Sequence, residues 1–333
     1  MKAYINAISY YLPYQVLTNK GLEQEFPEWP AEKVAAKVGI EQRHIAAIDE
    51  TAGDMAYKAA EKLFSEHSID KASVDYILLC TQSPDYFLPS TACVLQDRLG
   101  LRKNIGALDY NLGCSGFVYG LSLAKGLIVG GMAHNVLLLT SETYTKYIHP
   151  KDKGNRSIFS DGASATLVST EGFAEIGEFV FGTDGSGADG LIVKSGASRH
   201  PSAYNDLHFD EANNPVSGDH LYMNGPDIFS FTIETVPKMI HNCLLRNDLK
   251  QDEISLYVFH QANMYILDFL RKKIRIDKDK FYCNMREVGN TVSSTIPIAL
   301  RDAQQSGLLK GNIAIAGFGV GLSWGAVLLK INN

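Results

Sequence analysis

The chain has 333 residues and a formal net charge of −6, from 31 Lys plus Arg and 37 Asp plus Glu. That balance lacks the basic face with which a general nucleic-acid binder displaces counterions. Hydrophobic residues make up 45% and charged residues 20%, which excludes a disordered chain and suits either two domains or one large duplicated unit.

In chain order, the start MKAYINAISYYLP has neither the long apolar core nor the cleavage site of a secretion signal. The pattern over Asp54–Ser65 predicts a helix and YILLC (76–80) a buried strand. Pro89–Gly100 reads as a helix with Pro89 near its start and Gly100 just past its end. A short apolar strand is expected to end at Gly113, and Phe117, Leu121, Ala124 and Ile128 then recur with helical spacing. NVLLLT (135–140) and SATLVS (164–169) are strands by the same criteria. Residues 183–221, rich in Gly, Ser, Asp and Asn, read as a surface excursion. Later come a strand ISLYVF (254–259), a helix with Ile266, Leu270 and Ile274 on one face, and a helix start at Ser293, Ser294 and Pro297. NIAIAG (312–317) and AVLLKI (326–331) complete the set of strands. Residues 311–329 carry no charge, but five glycines divide them, so two buried strands are expected rather than a membrane span.

Strands alternating with helices predict an α/β fold with a parallel or mixed sheet. The halves echo one another: 69–82 resembles 249–261, 135–142 resembles 312–319, and 159–169 resembles 320–330. Three echoes in the same order point to a duplicated unit of about 160 residues. The expected division is 1–172 and 173–333.

Several formal motifs fail on context. Gly185-x-Gly187-x-x-Gly190 lacks the following helix that a dinucleotide site needs. Gly321-x-Ser323-x-Gly325 matches a nucleophile elbow, but the last histidine, His260, precedes the serine. Asn155-Arg156-Ser157 is a glycosylation sequon without a secretion signal. The nine His show no metal-binding spacing, so no metal and no cofactor are expected. The five Cys form no CxxC pair and are odd in number, which suits a reducing, cytoplasmic setting without disulfides or structural zinc.

Three side chains carry the chemistry. Cys114 sits at a strand-to-helix turn, where helix N–H groups and dipole favour a thiolate; the same place also suits a small buried hydrophobe. His260 ends a buried strand, a common catalytic position in α/β sheets and equally a place for a core histidine. Asn290 lies in the turn of EVGNTVSSTIP, where turn chemistry alone also explains it. The loop Gly317-Phe-Gly-Val-Gly321 exposes backbone N–H groups suited to an oxyanion, or simply turns the chain.

Together with Gly39–Ile45, the Asp161-Gly162-Ala163 turn, Met223–Phe229, His260-Gln-Ala-Asn263, Gly289-Asn290-Thr291 and Gly317–Gly325, these residues make the chain resemble, nearly end to end, the β-ketoacyl-ACP synthase III group of the thiolase superfamily. The resemblance implies a thiolase-like fold, with duplicated α/β halves in five layers α-β-α-β-α, and a homodimer. It implies acyl transfer from an acyl-CoA or acyl-ACP donor to Cys114, then decarboxylative Claisen condensation with malonyl-ACP. His260 and Asn290 would hold the developing enolate, and the backbone N–H groups of Cys114 and Val320 the second oxyanion. Thiolases use a second Cys in the last Gly-rich loop, and residues 317–325 have none.

Departures from the family pattern bear on the donor. Bacterial members hold coenzyme A with a Trp and Arg residues at a tunnel mouth. By the resemblance the Trp position is Lys33, nearby Arg positions are Lys37 and Lys153, a later Arg position is Tyr265, and an Asn position is Pro226. Lysine keeps charge for phosphates but loses the planar fork and the stacking face. Stacking on an adenine is therefore expected to be lost or moved to Tyr265. Arg271-Lys272-Lys273 fits a docking site for an acidic carrier protein or a plain solvated face. Leu88, at the position where acetyl-restricted members put a Phe donated across the dimer, suggests longer or branched acyl groups. Two other readings stay open: an acyltransferase that moves the acyl group to an alcohol, amine or sugar, and a non-catalytic partner of a condensing heterodimer.

Overall fold

The computed structural model describes residues 1–211 and 213–332. Nine strands form its main sheet: β1 (Tyr4–Tyr11), β2 (Tyr76–Cys80), β3 (Gly106–Tyr110), β4 (Asn135–Glu142), β5 (Gly162–Ser169), β6 (Ala174–Thr183), β7 (Ile254–Phe259), β8 (Asn312–Gly319) and β9 (Ser323–Ile331). The helices that matter here are α1 (Ala52–Glu66), α2 (Thr91–Arg98), α3 (Gly116–Val129), α4 (Gly225–Arg246), α5 (Met264–Ile274) and α6 (Thr295–Gln305). All the strands expected from sequence are present apart from the one expected to end at Gly113, which ends at Tyr110. Two further strands, β1 and β6, escaped the sequence reading.

The spatial order is β7-β8-β9-β6-β1-β5-β4-β2-β3. It divides into two five-position arrays. β1-β5-β4-β2-β3 comes from the first half and β6-β9-β8-β7 from the second, where a parallel bridge from Tyr257 to Phe281 stands in the place of β3. β2 pairs parallel with β4, and β7 parallel with β8; β4–β5 and β8–β9 are antiparallel. The three sequence echoes fall on equivalent strands: β2 with β7, β4 with β8, and β5 with β9. The arrays join where Tyr4 faces Glu175 and Ile5 faces Ala174.

Helices complete the five layers. α1 and α2 cover the outer face of the first array, α4 and α5 that of the second. α3 and α6 lie between the arrays and touch strands of both. The stripe Phe117, Leu121, Ala124 and Ile128 is wholly buried in this central layer, against Ile8, Leu138, Ile315 and Val327 among others. Each large side chain there contributes about 1.5–3 kcal/mol by leaving water. The outer cores centre on α1 and on α4 with α5.

The Gly-divided segment 311–329 is β8 and β9, cross-paired from Asn312–Lys330 to Gly319–Ser323. Among the described residues no helix is long and apolar enough to cross a membrane, and no cluster of His, Cys, Asp and Glu could hold a metal ion. Gly185–Gly190 is a 3-10 turn leading into the short strand Leu191–Ile192, so no helix follows it.

Candidate active site

Cys114 lies four residues beyond β3 and one before Ser115, the N-cap of α3. Two glycines of β8 let it sit there. A Cβ on Gly317 would lie 2.7 Å from the Cys114 carbonyl oxygen, and one on Gly319 would lie 3.0 Å from Sγ. Cys114 of the first half therefore packs directly on backbone of the second. The backbone N–H groups of Cys114 and Val320 both face the sulfur. Around it lie Tyr144, Ile148, Phe159, Leu191, Leu221 and Val292, all buried.

Burial, with Glu142 adding to it, pushes the Cys114 thiol up to about 12, against the pull of those two N–H groups. The helix N-terminus thus does not yield a resting thiolate: in this dry pocket the desolvation cost of the anion exceeds the local attraction. Glu142 is fully buried and accepts from Gln82 N at 3.0 Å, Ser83 Oγ at 3.0 Å and Ser293 Oγ at 3.2 Å. Burial raises this carboxyl to about 8, so it carries its proton near neutral pH.

His260 follows β7, and its backbone N–H donates to Ala316 O at 2.8 Å, beside the Gly317 that touches Cys114. The ring is 2% exposed. Its Nδ1 is 2.8 Å from Thr295 Oγ1, whereas no protein partner of Nε2 is found among the described residues. Burial lowers the ring to about 3, with a smaller opposing pull from the Val292 carbonyl, so it is neutral at rest. Asn290 is buried as well. Its Oδ1 accepts from Val292 N–H at 2.9 Å, which turns Nδ2 away, toward Ala262 O at 3.4 Å. The other motif residues hold this frame. Asn263 caps α5 by accepting from Ile266 N at 2.9 Å. Buried Arg43 binds Ser157 O and Asn19 Oδ1, and Asp161 accepts from Ala46 N at 2.8 Å and Thr145 N at 3.0 Å.

A cavity of about 460 Å³ opens beside this cluster. Ile158, Leu221 and Met223 line it and also belong to the apolar group around Cys114, although Cys114, His260 and Asn290 themselves are not on its wall. Trp29 stands on its wall, with Lys37 Nζ 5.8 Å and Lys153 Nζ 5.7 Å from its ring centroid. The sequence reading missed Trp29 and assigned the aromatic position to Lys33. Lys33 is instead an exposed residue of the helix Ala31–Val38, outside the cavity wall. Tyr265 is 62% exposed and packs on Phe229. The signal was available: Trp29 is one of only two tryptophans, immediately before Pro30 and the helix that carries Lys37.

The remaining candidates lie outside the cavity wall. Lys153 is paired with Glu28 at 3.0 Å. Arg271 and Lys272 both spend their charge on Asp268, at 2.9 and 2.6 Å, while Lys273 is exposed. Leu88 is 82% exposed, in a loop with Tyr86 and Phe87 that are 61% and 88% exposed. A larger cavity of about 650 Å³ lies under the excursion, between Ser186, Lys194 and Tyr204, and none of Cys114, His260 or Asn290 lines it.

Comparison with known proteins agrees with this arrangement. Residues 108–185 match the family model for 3-oxoacyl-[acyl-carrier-protein] synthase III, and residues 244–331 match the model for its C-terminal part. A β-ketoacyl-[acyl-carrier-protein] synthase III of Clostridium perfringens is 38% identical over 324 residues, covering 96% of this chain and 97% of the relative. One of Fusobacterium nucleatum is 33% identical over 335 residues, covering 98% of each. A crystal structure of a 3-oxoacyl-(acyl-carrier-protein) synthase III superposes with a TM-score of 0.97 at 49% identity, covering 99% of this chain and 100% of that one.

Proposed function

The chain belongs to the β-ketoacyl-ACP synthase III family, and from that premise we propose that Cys114, His260 and Asn290 carry out its acyl transfer and condensation. The protein is an acyl-transferring condensing enzyme; the roles of its residues are our reading. The observation that carries it is the position of Cys114 Sγ beneath the N–H groups of Cys114 and Val320, together with a buried His–Asn pair whose Nδ1 is engaged by Thr295 and whose Oδ1 is engaged by Val292, which leaves Nε2 and one Nδ2 hydrogen to donate.

In the first step Cys114 sulfur bonds to the acyl carbon of a thioester. The carbon–sulfur bond to the carrier breaks, and the thiol proton leaves with the departing thiolate. In the second, malonyl-ACP loses CO2, and the resulting enolate oxygen is held by Asn290 Nδ2 and His260 Nε2. For Nε2 to donate, Nδ1 must accept, and Thr295 Oγ1 is the donor within reach. The enolate carbon attacks the acyl carbonyl, whose oxyanion sits on the Cys114 and Val320 N–H groups. Collapse releases the Cys114 thiolate, which regains a proton from solvent. Transfer to an alcohol, amine or sugar is not favoured, since the relatives matched end to end are condensing synthases.

Acyl donors enter past Trp29, whose face stacks on a nucleotide while Lys37 meets its phosphates. An acyl carrier protein docks near Lys273, Lys272 and Arg271. The enzyme works as a homodimer in the cytoplasm: its five cysteines are free, and the exposed Tyr86-Phe87-Leu88 loop and edge strand β3 suit a second copy. The halves divide at 172/173, between β5 and β6.

Intact-protein mass spectrometry with acyl-CoA and acyl-ACP donors tests this. A Cys114-dependent mass gain, absent in Cys114→Ala, is expected, followed by CO2 release on adding malonyl-ACP. An adduct that survives in Cys114→Ala defeats the reading.

A further inference from the structure

Val292 is a fully buried, β-branched residue at φ +55°. Such a residue occupies the left-handed region only where its surroundings impose it, and such positions cluster at functional sites. Here the surroundings are the apolar group around Cys114, in which the Val292 side chain packs. Both polar groups of this one residue are committed. Its N–H donates to Asn290 Oδ1 at 2.9 Å. Its carbonyl lies 3.1 Å from Thr295 Oγ1, and that same oxygen is 2.8 Å from His260 Nδ1, so the one hydroxyl hydrogen has two acceptors in reach.

We infer that Val292, held left-handed, and Thr295 are the positioning residues that set the amide orientation of Asn290 and the tautomer of His260. The inference rests on the roles given to His260 and Asn290 above. Asn290 has one acceptor and two donors on a flat amide that fits its site in either sense. The Val292 N–H selects the sense with oxygen toward it, so that Nδ2 meets Ala262 O at 3.4 Å with one hydrogen and keeps the other to donate. The Thr295 hydroxyl has one hydrogen and two acceptors in reach, the Val292 carbonyl and His260 Nδ1. Given to Nδ1, it leaves the proton of the neutral ring on Nε2, where an enolate oxygen can receive a hydrogen bond. Given to the carbonyl, it leaves Nδ1 protonated and Nε2 a lone pair that repels that oxygen. An ordinary right-handed residue at 292 would aim its N–H and C=O elsewhere and release both side chains together. Neither Val292 nor Thr295 needs to touch substrate for this.

The test separates the two half-reactions in the full-length enzyme. Acylation of Cys114 uses the backbone N–H groups, whereas malonyl-ACP decarboxylation uses Asn290 and His260. Thr295→Val keeps shape and removes the hydroxyl, Val292→Pro removes the N–H and forces φ to about −65°, and Thr295→Ser keeps the hydroxyl. We expect Thr295→Val and Val292→Pro to slow decarboxylation about 100-fold, as for a mispositioned catalytic group, and acylation by less than about threefold. Thr295→Ser should restore decarboxylation to within about threefold of the parent. In the parent, ¹⁵N spectra of labelled imidazole should show His260 protonated at Nε2, and in Thr295→Val at Nδ1. Equal losses in both half-reactions, or no loss in either, would overturn the inference, as would an Nδ1-protonated ring in the parent, a measurement that needs no variant to fold. His260→Ala and Asn290→Ala run alongside. If these retain decarboxylation, the roles of His260 and Asn290 fail; if they lose it while Thr295→Val and Val292→Pro do not, only the positioning inference fails.

Discussion

At the scale of single residues, the nucleophile is controlled more by what is excluded around it than by any charge beside it. Cys114 is a thiol pushed up to about 12 by burial, so its alkylation by iodoacetamide should keep accelerating as pH rises past 9. A plateau near pH 8 in peptide-resolved labelling would contradict that. Gly319 is the second control. Its missing side chain leaves the space that Sγ occupies, with an added Cβ only 3.0 Å from the sulfur. Gly319→Ala should therefore cut the rate of Cys114 acylation by about 100-fold through displacement of the sulfur, with Tm within a few degrees of the parent, measured by adduct time courses and calorimetry. His260, Asn290 and Cys114 were legible as candidates because each stands where a strand ends. Val292 was not, since no composition or spacing signals a left-handed valine. Trp29 was overlooked because a family position was carried to Lys33 four residues along.

At the scale of elements, local chemistry explains where helices start. Thr51 and Asp54 form a reciprocal capping box at the start of α1, with Thr51 Oγ1 3.1 Å from Asp54 N and Asp54 Oδ2 3.0 Å from Thr51 N. Thr51→Ala should destabilise the protein by about 1 kcal/mol in denaturant unfolding. The charged end of α5 behaves differently from its sequence. Arg-Lys-Lys reads as a strong basic patch, but one turn earlier Asp268 draws in two of the three charges. Removing that carboxylate should strengthen the field toward an acidic partner. Asp268→Asn is expected to lower KM for acyl carrier protein roughly two- to fivefold with kcat unchanged, and the gain should vanish at high salt. An unchanged KM would place carrier docking elsewhere.

At the scale of the whole molecule, the two arrays meet around buried carboxyls that favour low pH. Glu142 is raised to about 8 and Asp161 to about 6. A carboxyl raised in the folded state binds its proton more tightly there than in the unfolded chain. Its stability contribution is complete below its ordinary pKa and is lost as pH rises to the folded value. The contribution of these two carboxyls should therefore fall between about pH 4 and 8, opposed below about 6.5 by His260, whose lowered pKa makes stability rise with pH there, so Glu142→Gln should flatten the decline of Tm between about pH 6.5 and 8. Much of this architecture was legible in the chain itself. Apolar periodicity marked most strands and the central helix α3, because burial on one face imposes a repeat that survives in sequence. The echoes between halves marked the duplication, because equivalent strands meet equivalent neighbours. β1 and β6 were missed, since one joins the arrays and the other is partly exposed, so neither shows a clean apolar run. Sequence by itself determined the fold class, the family and the candidates for the reactive side chains. Only the tertiary structure decided that burial raises the Cys114 thiol, that Trp29 stands on the cavity wall and that the N–H of Val292 meets Asn290 while its carbonyl faces the Thr295 hydroxyl beside His260. Those outcomes depend on desolvation and on contacts between residues far apart in the chain, and neither is written in any local pattern.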